Sequence, residues 1–217
     1  MNMRSQMEMV KREKLNTEVR QDQIIEAAMH LIGSQGIKGL SMAALADRIG
    51  LVPSAIYRHF KSKNDIVDMI LDFIQEKLLT NIGIACKETS EPMERLQRIL
   101  KRHVETLREN RAIPRIIFAE DVFTGNPKRK NRVYGIINGY LDALNEIIRD
   151  GQQMGQMRSD MDSKTVALMF LGMIQPGAIL WFLSDGKFDI LKHSEKNWEL
   201  FREAIRDKGN PPFERTE

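Results

Sequence analysis

Apolar residues return every three or four positions along this chain and nowhere alternate with polar ones over the length of a strand, so the pattern predicts an all-α protein. From Thr17 to Gln35, Ile24, Ala28, Leu31 and Ile32 mark one face of a helix that Gly36 stops. Two short helical runs follow before Phe60, and a long amphipathic segment over 64–85 carries Ile66, Ile70, Phe73, Ile74 and Leu78 on one side. Beyond it the spacing predicts a helix from Pro92 to Asn110 and a short one from Ala112 to Val122, broken before by Pro114 and after by Gly125, Asn126 and Pro127. A helix from Lys128 to Asp150 comes next, ended by Gly151 and Gly155, then a strongly apolar one from Asp162 to Leu183 and a last from Glu195 to Asp207. Residues 1–16 are polar and charged and read as a flexible basic arm.

The stretch SMAALADRIGLVPSAIYRHFKSK, residues 41–63, carries more information than any other. Leu45, Ala46, Ile49, Leu51 and Ile56 fall inward, with Gly50 in the connection between two helical runs, which is the spacing of a helix-turn-helix. Ala46 suits a close helix crossing, and Gly50 can take the positive φ that ends the first helix. Ser41 offers a capping oxygen, Pro53 fits a first helical turn, and Ser62 with Asp65 three residues on forms a capping-box pattern.

Through Ser41, Leu45-Ala46, Gly50, Ala55-Ile56-Tyr57, His59-Phe60 and Lys63 the chain resembles the tetracycline-repressor-like (TetR) family of bacterial regulators. The motif-bearing part runs from about residue 17 to about residue 75, and beyond it the helical layout alone is similar. Val52 departs from the Ser or Ala often found there, and Ser54 from a frequent Gly. The resemblance implies a three-helix DNA-binding domain over 17–63, a linking helix over 64–85, and a helical ligand-binding and dimerisation domain over 86–210. It also places Val52, Pro53 and Ser54 at base edges and Ser41, Tyr57, His59, Lys61 and Lys63 at phosphates, with Arg58 able to reach either. Chemistry agrees at each position: Ser54 can hydrogen-bond a base and Val52 can touch a thymine methyl, while Phe60 suits the small core.

Two further expectations come with the family. A dimer seam would draw on Val166, Phe170, Ile174, Gly177, Ile179, Leu180 and Trp181 together with Trp198, Phe201 and Ile205, since half-sites roughly 34–36 Å apart need two recognition helices. An inducer pocket would draw on Phe118, Phe123, Tyr134, Ile137, Asn138, Met169, Met173 and Gln175, methionine being adaptable toward a bulky apolar ligand. The same side chains are equally at home in a helical core.

Charge sharpens the reading slightly. Residues 1–66 hold ten Lys/Arg against seven Asp/Glu, whereas residues 67–217 hold 23 of each, so the whole net charge of +3 lies beside the helix-turn-helix, where phosphate contact needs it. The lone Cys86 permits no internal disulfide, and no Cys/His set has zinc spacing, which together point to a reducing, cytoplasmic setting without metal or cofactor. The N-terminal residues lack the apolar run of a signal peptide, and no membrane span is expected. Four scattered histidines, with no nucleophile elbow or glycine-rich phosphate loop, give an enzyme nothing to work with. The expected partners are double-stranded operator DNA, a second copy of the chain and a small-molecule inducer, and the expected function is repression relieved by that ligand. A structural factor that holds a protein partner at many chromosomal sites would share the same DNA motif.

Overall fold

A computed structural model describes residues 3–120 and 126–208, with side chains from residue 17 onward, and these residues form helices and connections with one isolated bridge between Met157 and Arg206. Ten α-helices are described: α1 (Met3–Gln35), α2 (Met42–Arg48), α3 (Pro53–Tyr57), α4 (Lys63–Glu88), α5 (Pro92–Glu109), α6 (Ala112–Ile117), α7 (Pro127–Gln153), α8 (Ser163–Gly172), α9 (Gln175–Leu183) and α10 (Ile190–Ile205). The chain separates into two compact units, Met1–Gln75 with Glu109–Val133, and Glu76–Arg108 with Tyr134–Glu217.

In the first unit, Ile24, Ala28, Leu31 and Ile32 of α1 are all buried, as their spacing predicts. Helix α1 begins at Met3, not Thr17, because residues 3–16 are good helix formers without Gly or Pro, and propensity carries the backbone where no apolar stripe marks it. The buried face of α1 receives α6, where Ala112, Ile113, Pro114 and Ile116 are buried, and a Cβ at Gly33 would already stand 3.4 Å from Arg111 Cβ. Residues 109–133 therefore pack with the first unit, not with the remainder of the 86–210 segment. Pro114 lies inside α6 instead of breaking the chain before it, since the first helical turn has no use for its missing N–H.

The second unit corrects several helix limits. The expected single helix from Asp162 to Leu183 is two, α8 and α9. Pro176 cannot donate to the preceding turn, and Asn197 Nδ2 donates to the Met173 carbonyl beside the break at 3.0 Å. This run is long and apolar enough to cross a membrane, yet Val166, Ala167, Phe170, Leu171, Ile174, Ala178 and Trp181 within it are core residues. Helix α10 starts at Ile190 because Asp189 accepts a hydrogen bond from Lys192 N at 3.0 Å, a cap that moves the start five residues ahead of Glu195. Helix α7 runs through Gly151, against which Met157 packs.

The interior of this unit is not wholly apolar. His103 Nδ1 and the Tyr140 hydroxyl are hydrogen-bonded at 2.9 Å with the rings edge to face, and Asn81 Nδ2 donates to Thr106 Oγ1 at 3.0 Å. Burial pushes the His103 imidazole down to about 4 and raises the Tyr140 phenol, so both stay neutral. An unfolded chain recovers an ordinary histidine. Below about pH 6.5 the unfolded state thus binds the extra proton, and stability falls as pH drops toward 4, by about 3 kcal/mol over the window. Thermal denaturation from about pH 7.5 to about pH 4.5 checks this: His103→Gln, which cannot titrate but can still bond Tyr140, should flatten the decline by that amount.

Candidate nucleic-acid interface

Helix α3 has only five residues, so its position comes from what surrounds it. Leu45 and Ile56 are fully buried and Ala46 and Phe60 nearly so, forming the small core on which α3 rests. Gly50 takes φ +66° between the helices, and the Leu51 amide donates to the Ala46 carbonyl at 2.8 Å to close the turn. Pro53 occupies the first turn of α3. Ser41 Oγ accepts from Ala44 N at 3.1 Å, leaving its hydroxyl proton for a phosphate. At the start of α4, Asp65 Oδ2 accepts from the amides of Lys61 and Ser62 while Ser62 Oγ accepts from Asp65 N, the reciprocal arrangement expected from Ser62 and Asp65.

These supports leave one set of side chains outward. Val52 is 61% and Tyr57 55% exposed, and Ser41, Pro53, Ser54, Arg58, Lys61 and Lys63 are exposed as well, with His59 half-buried. Phe60, by contrast, is 3% exposed and belongs to the core. An aromatic ring held out in water by a buried neighbour one turn away has no stabilising role of its own. With the guanidinium and two ammonium groups beside it, it makes a surface suited to a phosphate backbone.

Residues expected elsewhere are distributed differently. Val166, Phe170, Ile174, Trp181, Trp198, Phe201 and Ile205 are each 6% exposed or less and Gly177 is buried, so these side chains fill the interior of the second unit, where Phe170 and Phe201 meet edge to face. The apolar side chains that α8, α9 and α10 leave uncovered are Leu168, Met169, Ile179, Leu180, Leu183 and Leu200, the last two more than 70% exposed. Of this exposed set, only Ile179 and Leu180 were among the residues expected at a seam. Helical spacing announces an apolar face without saying which neighbour takes it. Of the pocket residues, Phe118 and Tyr134 are exposed, Met169 is 46% exposed, and Ile137, Asn138, Met173 and Gln175 are half-buried. Phe123 lies outside the described residues. The buried polar groups His103, Tyr140, Asn81, Thr106 and Asn145 carry no sequence signal beyond a polar residue at an inward helical position.

The model of the bacterial regulatory proteins of the tetR family matches residues 24–70, and that of the C-terminal region of YsiA-like proteins matches residues 56–204. The chain belongs to the tetR family. It is a DNA-binding transcriptional regulator that acts as a dimer. Its curated relatives include the fatty acid metabolism regulator protein of Bacillus subtilis, 25% identical over 86% of this chain and 95% of that one. They also include the nucleoid occlusion factor SlmA of Vibrio vulnificus, 24% identical over 86% of this chain and 96% of that one. Among solved structures, the regulator FadR from Bacillus subtilis in complex with stearoyl-CoA superposes with a TM-score of 0.70 at 26% identity, covering 85% of this chain and 98% of that one.

If the exposed set is the DNA-reading face of this tetR-family regulator, its members should separate in titrations against salt. Lys63→Ala should weaken binding to all sequences alike and lower the salt slope by about one, whereas Val52→Ala should alter base preference and leave the slope unchanged. A Lys63→Ala protein with unaltered slope would remove that residue from the phosphate contacts.

Proposed function

We propose that this tetR-family protein is a repressor released from its operator by a fatty acyl thioester, a long-chain acyl-CoA. The observation that carries the reading is the likeness to FadR in complex with stearoyl-CoA over nearly the whole of both chains. A feature of the second unit supports it. Asn145 Oδ1 and Trp198 Nε1 are buried and have no hydrogen-bond partner among the described residues, one an acceptor and the other a donor. An acyl-CoA carries both complements, a carbonyl for the indole and an amide N–H for the asparagine. Ligand binding lowers operator affinity only by favouring an arrangement of the chain that fits DNA less well.

In this reading 17–63 is the DNA-reading part, with 109–133 packed alongside it, 64–85 is the linking helix, and ligand and partner copy are held by the second unit. The seam between copies is formed by Leu168, Ile179, Leu180, Leu183 and Leu200, which are left exposed among the described residues. The protein acts on chromosomal DNA in the cytoplasm and turns over nothing. Steady hydrolysis of acyl-CoA by the purified protein would overturn that last statement.

Two experiments test the proposal. Stearoyl-CoA at micromolar concentration should weaken operator binding at least tenfold while coenzyme A alone does not, and equal binding with and without the thioester would exclude it as inducer. Leu183→Arg with Leu200→Arg should give a folded monomer by light scattering, whereas Phe170→Ala should lose about 3–5 kcal/mol of stability because it opens the core. A second reading takes its support from the nucleoid occlusion relatives: a factor bound at many chromosomal sites that holds a protein partner. Footprinting on genomic DNA separates the two, since a few promoter palindromes indicate a local repressor and many dispersed sites the structural factor.

A further inference from the structure

The start of α7 is built against its own electrostatics. Four of its first six residues, Lys128, Arg129, Lys130 and Arg132, are basic and its first turn has no acidic residue, although a helix N-terminus carries partial positive charge. Asn126 must cap it, its Oδ1 accepting from the amides of Lys128 at 3.1 Å and Arg129 at 3.3 Å. Such an arrangement persists when the cations serve some purpose other than helix stability.

Two of them turn toward α4. Arg129 is 2% exposed, and among the described residues no other lysine, arginine, aspartate or glutamate is buried. Its Nη2 donates to Asn64 Oδ1 at 3.1 Å, and two turns further along α4 Arg132 is paired with Asp72. Asn64 lies in the first turn of α4, between Lys63 and the Asp65 that caps the Lys61 and Ser62 amides. The buried guanidinium therefore grips the turn that also presents the DNA-facing lysines. A guanidinium suits this task because its planar fork holds direction, and at 2% exposure little water competes for it. The Arg132–Asp72 pair is more open, its side chains 35% and 54% exposed, and serves to set rotation more than to add strength.

We propose that Arg129 and Arg132 are positioning residues for DNA recognition: they hold the first turns of α4, and with them the helix-turn-helix, at one setting relative to α7. Both contacts lie within the first unit, where the opening turns of α7 pack beside the opening turns of α4. Neither arginine touches DNA in this scheme, and the scheme does not depend on the identity of an inducer.

The test uses the full-length dimer and duplexes carrying the palindrome that the unmodified protein selects from random DNA, with the centre lengthened or shortened by one base pair. The unmodified protein should lose at least tenfold in affinity for either altered spacing. Arg129→Met, which keeps length and loses the fork, should bind the altered duplexes within threefold of the selected one, and Arg129→Lys should fall between. Asp72→Arg and Arg132→Asp should each relax the spacing preference, and the two together should restore it. The exposed pair keeps the test open should Arg129→Met fail to fold. Folded single variants with an undiminished spacing preference, or a charge-swapped double variant that does not recover it, would overturn the proposal.

Discussion

A helix of five residues cannot hold itself, and α3 is such a helix. Its place depends on the close crossing with α2, where Ala46 admits the approach, Gly50 turns the chain, and Leu45, Ile56 and Phe60 form the shared core. Everything the first unit does with DNA is downstream of that crossing. Tyr57 points outward because Ile56 and Phe60 point inward on the same short turn, and Lys61 and Lys63 flank the Ser62–Asp65 capping box that starts α4. A larger residue at Ala46 would separate the helices and release the reading surface together with its support.

The second unit follows a different logic. The helices bury Phe170, Trp198 and Phe201 in a conventional apolar interior, and His103 with Tyr140 and Asn81 with Thr106 enter it as hydrogen-bonded pairs. Burying a polar group without a partner costs more than such a pair returns, so the pairs add selectivity of packing more than stability. Exposed leucines on α8, α9 and α10 are what this interior leaves over, and they are the residues proposed above for the seam between copies.

Much of this was legible in the chain. The helix-turn-helix, its caps and the inward positions of α1 and α4 follow from local rules, because spacing of 3.6, a capping oxygen and a glycine with positive φ act over a few residues. Exposure of Tyr57 and burial of Phe60 were readable from the same register. Boundaries failed where two local signals competed: Pro114 belonged within α6, Pro176 divided the apolar run into α8 and α9, and Asp189 started α10 earlier than the apolar stripe suggested.

The sequence by itself determined the helical class, the recognition motif and the location of the net charge, since each depends on composition or on neighbours within a turn or two. Only the tertiary structure decided that Phe170, Trp198 and Phe201 are interior while Leu183 and Leu200 are surface, because an apolar helix face has no label for which neighbour will cover it. It alone brought Arg129 to Asn64 and His103 to Tyr140, 65 and 37 residues apart in the chain. Hydrogen bonds at that separation form only after the helices have packed, and helical periodicity cannot carry their geometry.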